Sequence, residues 1–201
     1  MKGALKHLLL FFFLSLAAYG FGQQPVANFS ANVQAGCAPL IVNFQDLTTG
    51  NPTAWKWDLG NGSSSTAQNP SATYFLPGTY TITLTASNAN GSNALTRSAY
   101  ITVYDKPKPD FAANSTLGCY PFVAKFNDAS ATSNGTTNVD WQWDFGNGTG
   151  GTGVTAQGVF TAAGDYTISL KVTNDKGCFA SVSKPAYIHV PDGIEPGFDN
   201  T

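Results

Sequence analysis

The sequence predicts an all-β fold, in which two β-sandwiches follow one another behind a signal peptide. Three observations lead to this prediction: a strand-and-turn motif that occurs twice, short alternating strand patterns, and a composition with few charges. Charged residues make up 11% of the 201 residues, well below the usual quarter, and 21 residues are glycine. This composition is typical of short strands and polar turns, and no window after the N-terminal segment has helical periodicity.

The N-terminus has the pattern of a targeting segment. A basic start with Lys2 and Lys6 precedes an apolar run at residues 8–18, which is too short for a comfortable membrane span. We therefore expect residues 1–22 to be a cleaved signal peptide, with an uncleaved anchor as the alternative. The remaining chain is acidic and has no second apolar run, so we expect a secreted or cell-surface protein without membrane insertion or nucleic-acid binding.

An eight-residue motif occurs at residues 55–62 and again at residues 141–148. In each copy large apolar residues alternate with polar ones, and a Gly-Asn-Gly turn follows. Alternation predicts a strand with one apolar face, which makes Trp57 and Trp143 candidate core residues. Trp55 and Trp141 lie on the same face nearer the start of the strand, where core packing is expected and partial exposure, which would let sugars stack on the rings, is the alternative.

The motif belongs to a repeat that covers most of the chain, which indicates duplication. Each copy has short strand patterns with turns roughly every ten residues, as a β-sandwich requires. We predict one sandwich at residues 24–104 and a second at residues 107–191. A proline-rich linker at residues 105–109 joins them, and residues 192–201 form a tail or the start of another linker. The strands predicted in the second copy span residues 122–127, 140–145, 153–160, 164–173 and 178–190.

The motif resembles the central pattern of the polycystic-kidney-disease (PKD) domain, although Asn61 and Asn147 stand where that family commonly has Asp. The Gly-Cys-x-Pro opening is similar to a variant in large exported bacterial surface proteins, including those associated with gliding motility. The resemblance implies an immunoglobulin-like β-sandwich that serves as a spacer, adhesion or ligand-contact module, and it does not imply an enzyme. The motif residues are Trp57, Asp58, Gly60, Gly62 and Tyr80 in the first copy and Trp143, Asp144, Gly146, Gly148 and Tyr166 in the second.

Calcium is the only metal that the sequence leaves open, since some PKD domains bind it. The weak candidate ligands are Asp46, Asp58, Asp128 and Asp144. Calcium takes about 6–8 oxygen ligands, and the two Asn residues in the motif reduce the number of carboxylates. We therefore expect Asp58 and Asp144 to bond the amides of their own turns, with calcium binding as the alternative, and we expect no cofactor.

The residue types needed for catalysis are scarce. His189 is the only histidine and Glu195 the only glutamate after the N-terminal segment, so neither a nucleophilic triad nor a zinc cluster is supported. Tyr80 and Tyr166 in Gly-x-Tyr are instead predicted to tie a loop backbone through the hydroxyl, which is a structural role.

These observations favour a non-enzymatic extracellular spacer or adhesion module whose partners are other surface proteins or extracellular polysaccharide. The alternative is a carbohydrate-binding accessory module in which sugars stack on Trp55 and Trp141. Such a module could be the front part of a larger secreted hydrolase or adhesin.

Three cysteines remain, and an exported chain permits a disulfide but leaves one thiol over. Cys119 and Cys178 share one copy of the repeat, and the first and last strands of an immunoglobulin-like sandwich can be neighbours, so we predict a bond between them. Ser92 occupies the position of Cys178 in the first copy. Cys37 is therefore predicted to be unpaired and available to link two chains. The alternative is that Cys37 pairs with Cys119 or Cys178 across the linker and holds the two copies together.

Overall fold

The computed structural model describes residues 22–133 and 135–193, and the regular elements in this part of the chain are β-strands. The predicted signal peptide, apart from Gly22, and most of the predicted tail lie outside the described residues. No helix within the described part of the chain is long and apolar enough to cross a membrane. The strands of the first unit are β1 (Phe29–Ala31), β2 (Ala35–Cys37), β3 (Leu40–Asp46), β4 (Ala54–Asp58), β5 (Ser64–Ser65), β6 (Ser71–Tyr74), β7 (Gly78–Asn88) and β8 (Gly91–Tyr104). The strands of the second unit are β9 (Phe111–Ala113), β10 (Phe122–Asp128), β11 (Asn138–Asp144), β12 (Gly150–Thr152), β13 (Thr155–Phe160), β14 (Gly164–Asn174) and β15 (Phe179–Val190).

Each unit is a sandwich of two sheets, as predicted. The first unit packs the sheet β1-β3-β6 on the sheet β2-β8-β7-β4-β5, and the second packs β13-β10-β9 on β12-β11-β14-β15. The long strands β7 and β14 alternate buried apolar and outward polar residues, so each contributes one face to its core. The two cores are separate clusters of apolar side chains.

The second unit contains one short strand, β12, that the sequence pattern does not predict. The prediction at residues 153–160 holds for β13, but the preceding β12 pairs with β11 in the opposite sheet. The chain changes sheets at Gly153, whose φ of 94° lies in the left-handed region that favours glycine. An alternating pattern cannot reveal β12, because Gly150, Gly151 and Thr152 include no large apolar residue.

The central tryptophans are core residues in both units. Trp57 is 0% exposed and Trp143 is 4% exposed. Their indole N–H groups donate to Ala67 O at 2.9 Å and to Gly153 O at 2.8 Å, so neither donor is buried without a partner. The prediction made for these two residues is confirmed.

The two cores differ in polarity at the residue that ends β6 in the first unit and β13 in the second. Tyr74 of the first unit is fully buried and its hydroxyl donates to Leu59 O at 2.8 Å, whereas the second unit has Phe160 there. Burial, with a smaller contribution from the neighbouring Tyr80, raises the pKa of Tyr74 to about 12. The first core therefore contains an ionisable group that the second lacks.

The opening of each unit lies beside the end of its last strand. In the first unit β2 runs parallel to β8 and places Cys37 opposite Tyr104. The second unit keeps a single parallel bridge between Leu117 and His189, near the end of β15. We call this side the distal end, formed by the opening at residues 36–39 or 118–121. The opposite, proximal end is the hairpin at residues 88–92 or 174–178.

Candidate functional site: the junction between the two units

A disulfide joins the distal end of the first unit to the proximal end of the second. Cys37 and Cys178 are bonded across 141 positions of sequence, with their Cα atoms 5.5 Å apart. Cys119 is exposed and, among the described residues, is a free cysteine. The predicted bond between Cys119 and Cys178 is therefore wrong, as is the prediction of an unpaired Cys37 that links two chains. The alternative, in which Cys37 pairs with Cys178 across the linker, is the arrangement found.

The length of β15 explains why the predicted bond does not form. Cys178 directly precedes this 12-residue strand, whereas the segment around Leu117 and Cys119 lies beside its far end at His189. At about 3.3 Å per residue the strand separates the two cysteines by roughly 35 Å. A disulfide requires Cα atoms within about 7 Å. The opening segment of the second unit is a neighbour of the last strand, but the two cysteines lie at opposite ends of that strand.

The same geometry brings Cys37 to its partner. Cys37 lies beside the last residue of β8, and Ala38 N donates to Tyr104 O at 2.9 Å. The chain then passes directly into the linker, which begins at Asp105. The distal end of the first unit thus lies where the second unit starts, and the β14–β15 hairpin also lies on that side of the second unit.

Asn174 connects the hairpin to the linker. Its side-chain amide donates to Asp105 O at 3.0 Å, and its Oδ1 accepts from Cys178 N at 2.9 Å and from Lys176 N at 3.1 Å. Asn174 is 1% exposed, so these bonds are shielded from water and fix the hairpin against the chain that enters the unit. The amide therefore positions the backbone of the bonded cysteine.

Further contacts close the junction. Ser133 Oγ donates to Lys106 O at 2.8 Å, and Lys176 Nζ lies 5.8 Å from the centroid of the Tyr104 ring, which permits a weak cation–π contact. A shallow groove of about 250 Å³ remains between the units. Its lining residues are Cys37, Ala38, Pro39, Lys106, Gly177 and Phe179.

The hydrogen bonds by which Asn174 holds the incoming chain form an asparagine clamp. The proximal end of the first unit has the same clamp but lacks the thiol. The side-chain amide of Asn88 donates to Gln23 O at 2.9 Å and to Gly50 O at 2.8 Å, so it also holds the incoming chain. Ser92 stands at the position of Cys178, and its carbonyl accepts from Gln24 Nε2 at 2.7 Å. The sequence alone indicates only that both asparagines begin a hairpin turn. Their recurrence at the same hairpin position was the available signal for this second role.

The motif aspartates bond their own turns, as expected for a structural role. Asp58 and Asp144 accept from Gly60 N and Gly146 N, each at 2.9 Å. Both glycines have positive φ, and a Cβ at Gly60 would lie 2.4 Å from Thr81 O, so no other residue fits. The turns at Gly62 and Gly148 also have positive φ.

The calcium candidates are not gathered into one site in the described part of the chain, where no three His, Cys, Asp or Glu side chains cluster in metal-binding positions. Asp46 accepts from the Trp55 indole N–H at 2.8 Å and from Gln68 Nε2 at 3.1 Å. Asp128 accepts from the Ser130 amide at 3.0 Å and also from its hydroxyl. These carboxylates thus have local protein donors.

The two outer tryptophans are half-buried and pack against the cores. The Trp55 indole N–H is bonded to Asp46, whereas the equivalent Nε1 of Trp141 is buried without a hydrogen-bond partner among the described residues. The rings pack against the cores, as expected, and each also keeps some exposed surface. The two rings nevertheless differ in how well their polar atom is satisfied.

The remaining predicted residues have structural contacts. The hydroxyls of Tyr80 and Tyr166 donate to Leu76 O at 2.6 Å and to Ala162 O at 2.8 Å, as the Gly-x-Tyr pattern predicts. His189 Nδ1 lies 2.6 Å from Asp165 Oδ1 on the surface.

Comparisons with known proteins place both units in one family. A family model described as the PKD domain matches residues 22–103 and 105–190. The chain is 27% identical over 161 residues to the pre-pro-metalloprotease PrtV of Vibrio cholerae, covering 79% of this chain and 17% of PrtV. It is 29% identical over 121 residues to internalin I of Listeria monocytogenes, covering 60% of this chain and 6% of internalin I. The chain thus spans less than a fifth of the length of either relative.

A solved structure also matches one unit. The PKD1 domain of the Vibrio cholerae metalloprotease PrtV superposes with a TM-score of 0.38 and 28% identity, covering 43% of this chain and 99% of that domain. Since the family model covers both sandwiches, the chain belongs to the PKD-domain family and carries two PKD domains in succession.

Proposed function

We propose that this chain is a non-enzymatic, exported spacer or adhesion module whose two PKD domains form one covalently locked body. The observation that carries the proposal is the bond between Cys37 and Cys178, which bypasses the linker. A proline-rich linker alone restricts bending but leaves the two domains free to reorient. The disulfide and the Asn174 clamp add two further attachments at the same junction.

The position of the bond determines how the chain transmits force. Residues 38–177 lie inside the covalent loop that Cys37 and Cys178 close. Tension applied at the two ends of the chain therefore passes from residue 37 to residue 178 through the disulfide. Most strands of both sandwiches are protected from extension, and only segments outside the loop, such as β1 and β15, can be drawn out. This is a useful property in a load-bearing connector.

The evidence for export supports the same proposal. Disulfides persist in oxidising compartments, and residues 1–22 have the pattern of a signal peptide. We therefore place the protein outside the cytoplasm, secreted or at the cell surface, with other surface proteins or extracellular polysaccharide as partners. The relative PrtV is named a metalloprotease, and this chain corresponds to 17% of it; we assign the matched segment a connecting rather than a catalytic role.

Sugar stacking on Trp55 and Trp141 receives less support. Both rings pack against their cores, which reduces the free aromatic face, and Asp46 already engages the Trp55 indole. Glycan binding that disappears on replacement of these tryptophans by alanine would favour the carbohydrate-binding alternative instead.

Single-molecule stretching tests the spacer proposal. The chain, held at both ends, is extended to full unfolding before and after replacement Cys178→Ser. Removing the bond should release residues 38–177 and lengthen the unfolded chain by about 50 nm, at about 3.6 Å per residue. Cys119→Ser is the matched control and should leave the extension unchanged. An oxidised natural chain that extends as far as Cys178→Ser would overturn the proposal.

A further inference from the structure

The distal end of the second unit presents a cysteine with nothing bonded to it in the described chain. We propose that Cys119 is the half-cystine through which the second unit bonds to a further PKD domain, one with a cysteine directly after its hairpin as Cys178 is here. This inference goes beyond the spacer role proposed above, because it assigns a covalent partner to a surface that the two-domain lock does not use.

The first support is that Cys119 occupies the position of Cys37 in the repeat. Gly-Cys-x-Pro recurs at residues 118–121, and its neighbourhood is built alike in both units. His189 N donates to Thr116 O at 2.8 Å, just as Thr102 N donates to Gln34 O at 2.8 Å. The opening therefore runs beside the last strand in both units. Cys37 shows, within the same molecule, what a cysteine at this position bonds to.

The second support is the exposed apolar surface around Cys119. Leu117 is 60% exposed and Tyr120 is 47% exposed, whereas the first unit has Ala35 and Ala38 at these positions. In the first unit the corresponding surface faces the groove lined by Phe179 of the second unit. Larger apolar side chains left open at a domain end are typical of a contact surface.

The chain that leaves the second unit also matches the linker. Asp192 lies five residues after Tyr187, just as Asp105 lies five residues after the equivalent Tyr100. The carbonyl of Asp105 is the one that Asn174 binds, so the carbonyl of Asp192 is placed for the hairpin asparagine of an incoming domain. The partner is thus a PKD domain with an Asn-x-x-Gly-Cys hairpin.

A second copy of this chain does not provide that hairpin. Its Cys178 is already bonded to Cys37, and its first unit carries Ser92 at the hairpin. The partner is therefore a different PKD domain.

The bond forms by thiol–disulfide exchange with a small disulfide such as oxidised glutathione. The Cys119 thiolate attacks one glutathione sulfur and releases one glutathione thiolate. The partner's thiolate then attacks the sulfur of Cys119 and releases the second. Two protein thiols are oxidised, and one glutathione disulfide is reduced to two thiols.

A three-domain chain provides the test. Residues 22–191 are followed by a second copy of residues 105–192, which carries Ser181→Thr as a mass tag on its exposed hairpin strand. After oxidation by glutathione disulfide, four of the five cysteines should form two bonds of the same kind. We expect Cys37 bonded to Cys178, Cys119 bonded to the tagged hairpin cysteine, and one free thiol. Cys178→Ser in the appended copy is the control and should leave two free thiols.

A bond between the two Cys119 copies would overturn the inference, as would three free thiols beside an intact Cys37–Cys178 bond if the second chain described below also lacks its bond. The Cys37–Cys178 bond reports separately on the spacer proposal, so the two failures are distinguishable. A second chain guards against misfolding of the appended domain. It carries residues 22–104 with Ser92→Cys after residue 191, and that new hairpin thiol should bond to Cys119. Absence of the bond in both chains rejects the proposal.

Discussion

The two PKD domains share a fold and a clamp but differ in where their thiols lie. The first has a cysteine at its distal end and Ser92 at its proximal hairpin, and the second has a cysteine at both ends. The bond found uses the distal cysteine of the first and the proximal cysteine of the second. In this tandem, cysteines pair according to the end of the domain on which they lie, not according to the domain that contains them.

The asparagine clamp and the disulfide are separable features of the junction. Asn88 and Asn174 hold the incoming chain in the same way, although only the second hairpin has a thiol. Hydrogen bonding therefore orients the hairpin in both domains, and one residue, Ser92 or Cys178, decides whether a covalent bond is added.

Loss of the junction bond should have the largest effect on stability. Closing a loop of this length stabilises the fold by about 5 kcal/mol in the chain-entropy model, so Cys37→Ser and Cys178→Ser should each lower the free energy of unfolding by up to that amount. Cys119→Ser should have no such effect. Equilibrium urea denaturation of the oxidised proteins measures this. A loss for Cys119→Ser that equals the loss for Cys178→Ser would contradict the assignment.

The central tryptophans should give equal losses in the two domains, which tests whether the difference is confined to the ends. Trp57→Ala and Trp143→Ala each empty a large buried site and remove a satisfied indole, and each should cost about 3–5 kcal/mol. Limited proteolysis after partial denaturation identifies the domain that opens first. Clearly unequal losses would mean that the two cores are not equivalent.

Alkaline pH should separate the two cores. The folded-state pKa of Tyr74 is about 12 against 10.0 for the free side chain, so its contribution is complete below pH 10 and is lost as the pH rises towards 12. The loss should reach about 2–3 kcal/mol and affect the first domain, because the second has Phe160 there. Urea unfolding of the two domains, followed from about pH 9 to about pH 12, measures this loss of stability. Tyr74→Phe should remove the difference between the domains; if it does not, another group is responsible.

The outer tryptophans should give a smaller contrast. Trp55→Phe removes a hydrogen bond to the Asp46 carboxylate, whereas Trp141→Phe removes a buried N–H without a partner in the described chain. The first change should cost about 1–2 kcal/mol more than the second, since the loss of ring size is the same. Thermal or urea unfolding of the two variants gives the comparison. Equal costs would show that the Trp141 indole is satisfied in solution.

Much of the fold could be predicted because its signals are local. Alternation identified the faces of Trp57 and Trp143, and Gly-Asn-Gly identified turns in which Asp58 and Asp144 bond backbone amides. Each of these features depends on residues a few positions apart. The sheet change at Gly153 was missed because the strand before it, Gly-Gly-Thr, has no alternating apolar residues.

The junction could not be predicted in this way because it depends on the ends of strands far apart in sequence. Proximity within one domain favoured a bond between Cys119 and Cys178, and only the parallel run beside the last strand shows that they lie at opposite ends. The serine at residue 92 was interpreted as a missing staple inside the first domain. In the structure it is a missing link at that domain's proximal end.

Non-reducing peptide mapping of the oxidised chain tests the central claim most directly. Free thiols are alkylated before unfolding, the protein is digested without reduction, and the cross-linked peptides are identified. The account predicts one peptide pair that contains Cys37 and Cys178, with Cys119 alkylated. A pair that contains Cys119 and Cys178, with Cys37 alkylated, would contradict it.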